Sequence, residues 1–320
     1  MLKKGNVVVT VSDRIGDAIF NTPSIHILKC NIGDCKIFII TASKIAGQVF
    51  ENNPDVESVF VKPNKRIISM LAKEIECVIN IYNNKFTRTI ADKLGKPVYT
   101  ISDKRGSKHI TKVEADFICY LFDDSTKKHD LKYRLYPQKE NFSRAECLLR
   151  ARGASLDKDE ILIGCHMSTH TFATRSTKFW KKNKFSKKSW PIERFPELGE
   201  KLHKKDSRLR LVLTGTKGEK QLLRYFKGNK NHVIDIMGET SVLDLAAMMK
   251  YFKAFITADT GPLHIASSTD VPIVAMFYSK TSPVINGPHP FKPWHHILHK
   301  ETMAAITVSE VYEKVLEIIM

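Results

Sequence analysis

A carboxylate, a hydroxyl, a glycine and an imidazole stand together in Thr257-Ala-Asp259-Thr260-Gly261-Pro-Leu-His264. The apolar Ala254-Phe-Ile256 before them reads as a buried strand, and Val271–Phe277 reads as a second strand beyond a short helical pattern. That order puts the four groups at the C-terminal mouth of a parallel strand, where open α/β sheets bind ligands. Pro262 suits a first helical turn with Thr260 or Gly261 as its cap, and the leading N–H groups of such a helix can hold an anion such as a diphosphate. A turn with an ordinary helix cap accounts for the same residues without any ligand.

Three other stretches carry chemistry. Ser12-Asp-Arg-Ile-Gly16-Asp17 joins the first strand pattern to the first helix pattern, so Gly16 can turn tightly and Asp17 suits a group acting on a substrate held opposite. The alternative is that Asp17 caps that helix. The loop lacks Gly-x-Gly-x-x-Gly, which argues against a dinucleotide site in this half. Lys188, just ahead of Trp190-Pro191 and a helix starting at Ile192, suits phosphate neutralisation. Equally, it closes a basic run, Arg175–Lys188, of seven cations and no acid. Glu219, in Thr214-Gly-Thr-Lys-Gly-Glu, can accept from a ribose diol or simply complement a helix dipole. Ser168 and Thr169 are candidate phosphate contacts after the strand at 161–165, and His166 reads as a packed strand-end histidine.

The elements that must position these groups alternate. Strand patterns at 6–11, 36–41, 59–61, 77–81 and 97–101 are interleaved with helical patterns, and strands at 161–165, 210–214, 233–236, 254–257 and 271–277 repeat the rhythm. Helix patterns at 143–152, 192–203 and 309–320 complete it. Such alternation predicts α/β architecture with doubly wound parallel sheets. The length of 320 residues predicts two domains. We expect an N-terminal domain over 1–155, a C-terminal domain over 156–305, and a terminal helix over 306–320 that packs back on the first domain.

Composition narrows the function classes. Hydrophobic content of 42% and 27% charged residues describe a globular protein, with no apolar run long enough to span a membrane and no secretory signal pattern. The six cysteines show no Cys-x-x-Cys spacing, so buried reduced thiols in a cytoplasmic protein are expected, with no metal site. A net charge of +17 predicts a polyanionic partner: nucleic acid, an anionic bilayer or a phosphorylated glycolipid. The cations are spread along the chain and no nucleic-acid module is present, so no nucleic-acid partner is expected.

Taken in order, Gly16-Asp17 with Pro23, Lys188-x-Trp190-Pro191 running into Glu193-Arg-Phe195, the Gly215…Glu219 turn, Asp259-Thr-Gly-Pro-Leu-His264 and Ser282-Pro-x-x-x-Gly287-Pro288 resemble glycosyltransferase family 9, the lipopolysaccharide heptosyltransferases. The resemblance implies a GT-B fold, two Rossmann-like doubly wound parallel-sheet domains facing across a cleft. It implies an inverting, metal-independent transferase that needs no cofactor beyond its substrate, a nucleotide-sugar donor, usually ADP-L-glycero-β-D-manno-heptose. By that resemblance Asp17 is the general base. Lys188 neutralises the donor diphosphate, Glu219 holds the ribose, Asp259 binds sugar hydroxyls, and Thr260, Gly261 and His264 serve the diphosphate. The acceptor is then an anionic glycolipid at the cytoplasmic face of the inner membrane, with Lys104, Arg105, Lys108 and Lys112 as candidate contacts, joined by the cations of 178–187. One departure from the family pattern is Cys165-His-Met-Ser-Thr169, where many members have a Pro-Gly-Ser-like turn; another is the long basic stretch after it. The same fold with another nucleotide sugar or another surface-glycan acceptor is the alternative.

Overall fold

The computed structural model describes residues 4–102, 106–124, 128–157, 159–168, 188–227, 231–280 and 282–320. The chain divides into two compact units, Met1–Tyr136 and Pro137–Met320.

The first unit is a five-stranded, wholly parallel sheet in the order β3-β2-β1-β4-β5. Its elements are β1 (Val7–Thr10), α1 (Ile15–Ile32), β2 (Ile37–Thr41), the short α2 (Lys44–Gly47), β3 (Ser58–Val61), α3 (Lys65–Glu74), β4 (Cys77–Asn80), α4 (Lys85–Leu94), β5 (Val98–Thr100) and α5 (Ile110–Phe122). β1, β2 and β4 are buried along their whole length, as strands made mostly of Val and Ile must be when helices cover both faces of a sheet. The 18-residue α1 tolerates Pro23 because Thr22 substitutes for the missing donor. Its Oγ1 donates to the Ile19 carbonyl at 2.8 Å, the acceptor that a Pro23 N–H would have used.

The second unit holds a six-stranded parallel sheet in the order β11-β10-β9-β6-β7-β8. In chain order it comprises α6 (Lys139–Ala151), β6 (Ile161–His166), α7 (Arg194–Lys205), β7 (Leu209–Thr214), a 3-10 helix (Lys217–Tyr225), β8 (Val233–Asp235) and α8 (Val242–Met248). β9 (Phe252–Ala258), α9 (Gly261–Ser267), β10 (Ile273–Tyr278), α10 (Pro283–Asn286), β11 (His296–Lys300) and α11 (Val308–Ile319) follow. Its core runs from Ile163 and Cys165 on β6 through Trp190, Phe195 and Leu198 to Val311 and Val315 on α11.

The compact units differ from the expected domain bounds in two respects. The division falls at 136/137 rather than 155/156, because α6 packs on α8: Asn141 Nδ2 and Arg144 Nε donate to Asp244 Oδ1 at 2.8 and 3.0 Å. The terminal helix belongs to the second unit, where it packs against α7 and β9 to β11. The sheet also gains β11, which the sequence patterns omitted.

Candidate active site

In each sheet the strand order reverses direction at one point, between β1 and β4 in the first unit and between β6 and β9 in the second. A parallel sheet opens a crevice beyond the strand ends at such a point. Asp17 follows β1 at the first of these points, and Ser168, Asp259, Thr260 and Gly261 follow β6 and β9 at the second; each is described within its own unit.

In the first unit, Asp17 lies in the opening turn of α1, three residues after Arg14 at the N-cap position. Its side chain accepts from the Ser12 hydroxyl, with Oγ–Oδ2 at 3.1 Å. Ser12 is itself fixed: its Oγ accepts from the Arg14 N–H at 3.1 Å, and its carbonyl accepts from Thr41 Oγ1 at 3.0 Å. The carboxylate is half-buried at the positive end of an 18-residue helix, a setting that favours negative charge. Across the switch point Thr10 Oγ1 donates to Asn80 Oδ1 at 2.6 Å, tying the ends of β1 and β4 together. Sequence reasoning missed Ser12, although a serine five residues before a first-turn aspartate in a strand-to-helix loop is a visible signal.

In the second unit, Lys188 and Asp259 meet: Nζ stands 3.1 Å from Oδ2, with the carboxylate largely buried and the ammonium half-exposed. Asp259 follows β9, while Lys188 is positioned by Trp190. That indole is fully buried, stands edge-on to Phe195 with centroids 4.8 Å apart, and donates from Nε1 to the Ile306 carbonyl at 2.8 Å. The Lys-x-Trp-Pro pattern is therefore a cation followed by its anchor. Thr260 occupies the N-cap position of α9, as expected, but its hydroxyl bonds Thr257 Oγ1 at 2.9 Å rather than the helix backbone. The helix start consequently carries no side-chain cap. Gly261 is part-exposed beside it, whereas His264 is buried within the unit.

Ser168 lies two residues beyond β6, the strand that pairs with β9. It is 3% exposed, and its hydroxyl has no hydrogen-bond partner among the described residues. A buried hydroxyl without a partner is costly, and at a strand mouth it marks a place for a ligand acceptor. His166 behaves as a packed strand-end histidine, with Nδ1 3.4 Å from Thr214 Oγ1. Glu219 is buried, and its Oε2 accepts from the Thr216 N–H at 2.5 Å while Thr216 caps the 3-10 helix. Gly215 and Gly238 let this turn close: the Gly238 N–H donates to the Gly215 carbonyl at 2.7 Å, and with φ at +78° a Cβ on Gly238 would lie 2.7 Å from Lys217 Cα. In the Ser282 motif, Ser282 caps α10, and a Cβ on Gly287 would strike the Pro283 carbonyl at 2.1 Å.

Of the acceptor candidates, Lys108 and Lys112 are exposed and both pair with Asp116 on α5. Lys104, Arg105, Thr169 and the basic stretch up to Lys187 lie outside the described residues. Among the described residues no group of three metal-ligating side chains occurs. The Asp157-x-Asp159 spacing sits before β6, at the opposite end of that strand from its mouth, and Asp157 pairs with Arg150. The thiols depart from expectation: all six are free, but only Cys77, Cys119 and Cys165 are buried, while Cys35 is intermediate and Cys30 and Cys147 are exposed.

The model of glycosyltransferase family 9 (heptosyltransferase) matches residues 119–315. This chain belongs to glycosyltransferase family 9. It is accordingly a glycosyltransferase of the heptosyltransferase family, and its paired parallel-sheet units are those of the GT-B fold. The structure resembles a family 9 glycosyltransferase from Veillonella parvula, with 20% identity, 99% of each chain covered and a TM-score of 0.78. It is also similar to the ADP-heptose lipopolysaccharide heptosyltransferase II of E. coli, at 15% identity, 98% coverage of each chain and a TM-score of 0.78. The E. coli heptosyltransferase WaaC, solved with ADP, aligns over 98% of this chain and 97% of its own at 15% identity and a TM-score of 0.66. No curated protein sequence matches the chain.

Proposed function

We propose that this family 9 enzyme transfers a heptose from ADP-L-glycero-β-D-manno-heptose, with inversion and without a metal or other cofactor, to the Kdo–lipid A region of a lipopolysaccharide precursor. The observation that carries the reading is the Lys188–Asp259 pair at the β9 mouth, next in the sheet to the β6 mouth where the Ser168 hydroxyl has no partner among the described residues. An ammonium, a buried hydroxyl and an uncapped helix start are the donors a diphosphate requires, and a carboxylate accepts from sugar hydroxyls. In this reading Lys188, Ser168, Thr169, Thr260, Gly261 and His264 serve the diphosphate. Asp259 takes the sugar, Glu219 lies at the ribose, and Asp17 removes the proton of the attacking hydroxyl. Inversion requires the attacking oxygen and the departing diphosphate on opposite faces of the anomeric carbon, and a lysine with backbone N–H groups can stabilise the departing charge.

The acceptor in this reading is an anionic glycolipid, met at the cytoplasmic face of the inner membrane, with Lys104, Arg105, Lys108 and Lys112 as its contacts. No helix among the described residues is long and apolar enough to cross a membrane. The net charge of +17 supports a peripheral, electrostatic association. Purified protein should release ADP from ADP-heptose in the presence of Kdo–lipid A, undiminished by EDTA. Turnover of UDP-sugars or ADP-hexoses in preference would transfer the assignment to another donor. Binding to vesicles containing anionic lipid should weaken as salt rises above about 0.15 M, and salt-insensitive or absent binding would remove the membrane from the reading.

A further inference from the structure

A second cluster of reactive side chains lies farther along α1, roughly 20 Å from Asp17 at 1.5 Å per residue. His26 and Cys30 are four residues apart on that helix and so share a face. Asp55, in the turn before β3, places Oδ2 2.9 Å from His26 Nδ1. The turn is held in shape by Asn53, whose Oδ1 accepts from the Asp55 N–H at 2.9 Å. An ionised carboxylate can only accept, so the ring proton sits on Nδ1 and Nε2 presents a bare lone pair. That nitrogen faces Cys30 Sγ at 3.8 Å. Carboxylate, imidazole and thiol thus stand in the order that equips a sulfur nucleophile with its own base. Cys30 is exposed, so a small reagent can reach it.

We infer that Cys30 is a base-assisted thiol and a site of reversible thiolation by low-molecular-weight disulfides of the glutathione type. In the step, the Cys30 S–H proton passes to His26 Nε2 while the sulfur attacks one sulfur of the disulfide. The S–S bond of the reagent breaks, a Cys30–S–S–R bond forms, and the departing thiolate takes the proton back from the imidazolium. One disulfide replaces another, so no further oxidant is consumed. Cys30 is in the last turns of α1, whose carbonyl end disfavours a standing negative charge. Activation therefore works by proton transfer during attack. Asp55 is the positioning residue, fixing the tautomer that leaves Nε2 bare.

Cys147 supplies an internal comparison, since it is also exposed but has no histidine within hydrogen-bond reach among the described residues. The native protein is treated with oxidised glutathione near neutral pH, and mixed-disulfide formation is followed cysteine by cysteine by peptide mass spectrometry. Cys30 should react about tenfold or more faster than Cys147. In His26→Ala it should fall to the pace of Cys147 and recover in part when imidazole is added, which a merely structural role would not produce. Asp55→Asn should slow Cys30 while leaving Cys147 unchanged. Buried Cys77 and Cys165 report unfolding, because they stay unmodified while the fold is intact. Equal rates at Cys30 and Cys147 in the native protein, or an unchanged Cys30 rate in folded His26→Ala, would overturn the inference.

Discussion

Asp17 and Ser12 form a unit, because the Ser12 hydroxyl donates to one carboxylate oxygen and helps to orient the group that the proposed reaction uses as its base. Asp17→Asn keeps the shape and removes the base, so transfer should drop by roughly 10²–10⁴-fold while ADP affinity, measured by calorimetry, stays near native. Ser12→Ala should lower kcat more than KM, because it loosens the aim of the carboxylate without removing it. Lys188 presents a different balance. Its ammonium already faces Asp259, so Lys188→Met leaves a largely buried carboxylate without this cation as well as removing the proposed phosphate contact. ADP should bind roughly 10- to 100-fold more weakly to Lys188→Met. The places of Asp17, Lys188 and Asp259 in the fold were legible in the sequence, because each lies beside a strand or helix end with a glycine or proline marker. Ser12, the Trp190 anchor bond and the Glu219 capping bond were not, since they depend on side chains meeting across turns.

At the scale of elements, the strands announced themselves wherever β-branched runs had to be buried on both faces, as in β1, β2 and β10. β11 did not, because His296-Ile-Leu-His-Lys300 is an edge strand with half its residues facing water, and its composition resembles a loop. The contact division at 136/137 was hidden for a related reason. The polar 153–159 segment, opened by Gly153, looks like a linker, yet the attachment of α6 rests on Asp244, far away in sequence. Gly164 in β6 is an element-level requirement that patterning does not display. A Cβ there would lie 2.5 Å from Phe252 and 2.6 Å from Phe255, whose stacked rings pass over the strand. Gly164→Ala should therefore destabilise the protein by about 1–3 kcal/mol through overpacking, read as a lower urea midpoint with an unchanged m-value.

The whole molecule should lose stability on acidification in two successive windows, both set within the second unit. Burial foremost, then the charges of Lys292 and His296, hold the His295 imidazole down to about 4. Neither ring nitrogen has a hydrogen-bond partner among the described residues. The unfolded chain takes up that proton near an ordinary pKa of about 6.5, so stability declines as pH falls from there towards 4 and the loss then levels off. Glu310 follows. The Lys300 ammonium first, and the Thr307 backbone N–H next, hold its carboxyl at about 2. Its contribution is complete above the usual carboxylate range of about 4.3 and disappears as pH drops towards 2. Urea melts at intervals between neutral pH and pH 3 should show both windows, and His295→Leu should flatten the upper one alone.

Every strand pairing in both sheets is parallel, so no two neighbouring strands can meet through a hairpin. This fixes a timetable for synthesis. The first sheet is complete once β5 leaves the ribosome, and its unit can close while the remainder is still being made. The second sheet has a long wait at its centre: β6 ends at His166, and its inner neighbour β9 does not begin until Phe252. Throughout that interval one edge of an apolar strand stands unpaired. In the nascent chain, chaperones and aggregation would compete for that edge of β6, the strand whose far end carries Ser168.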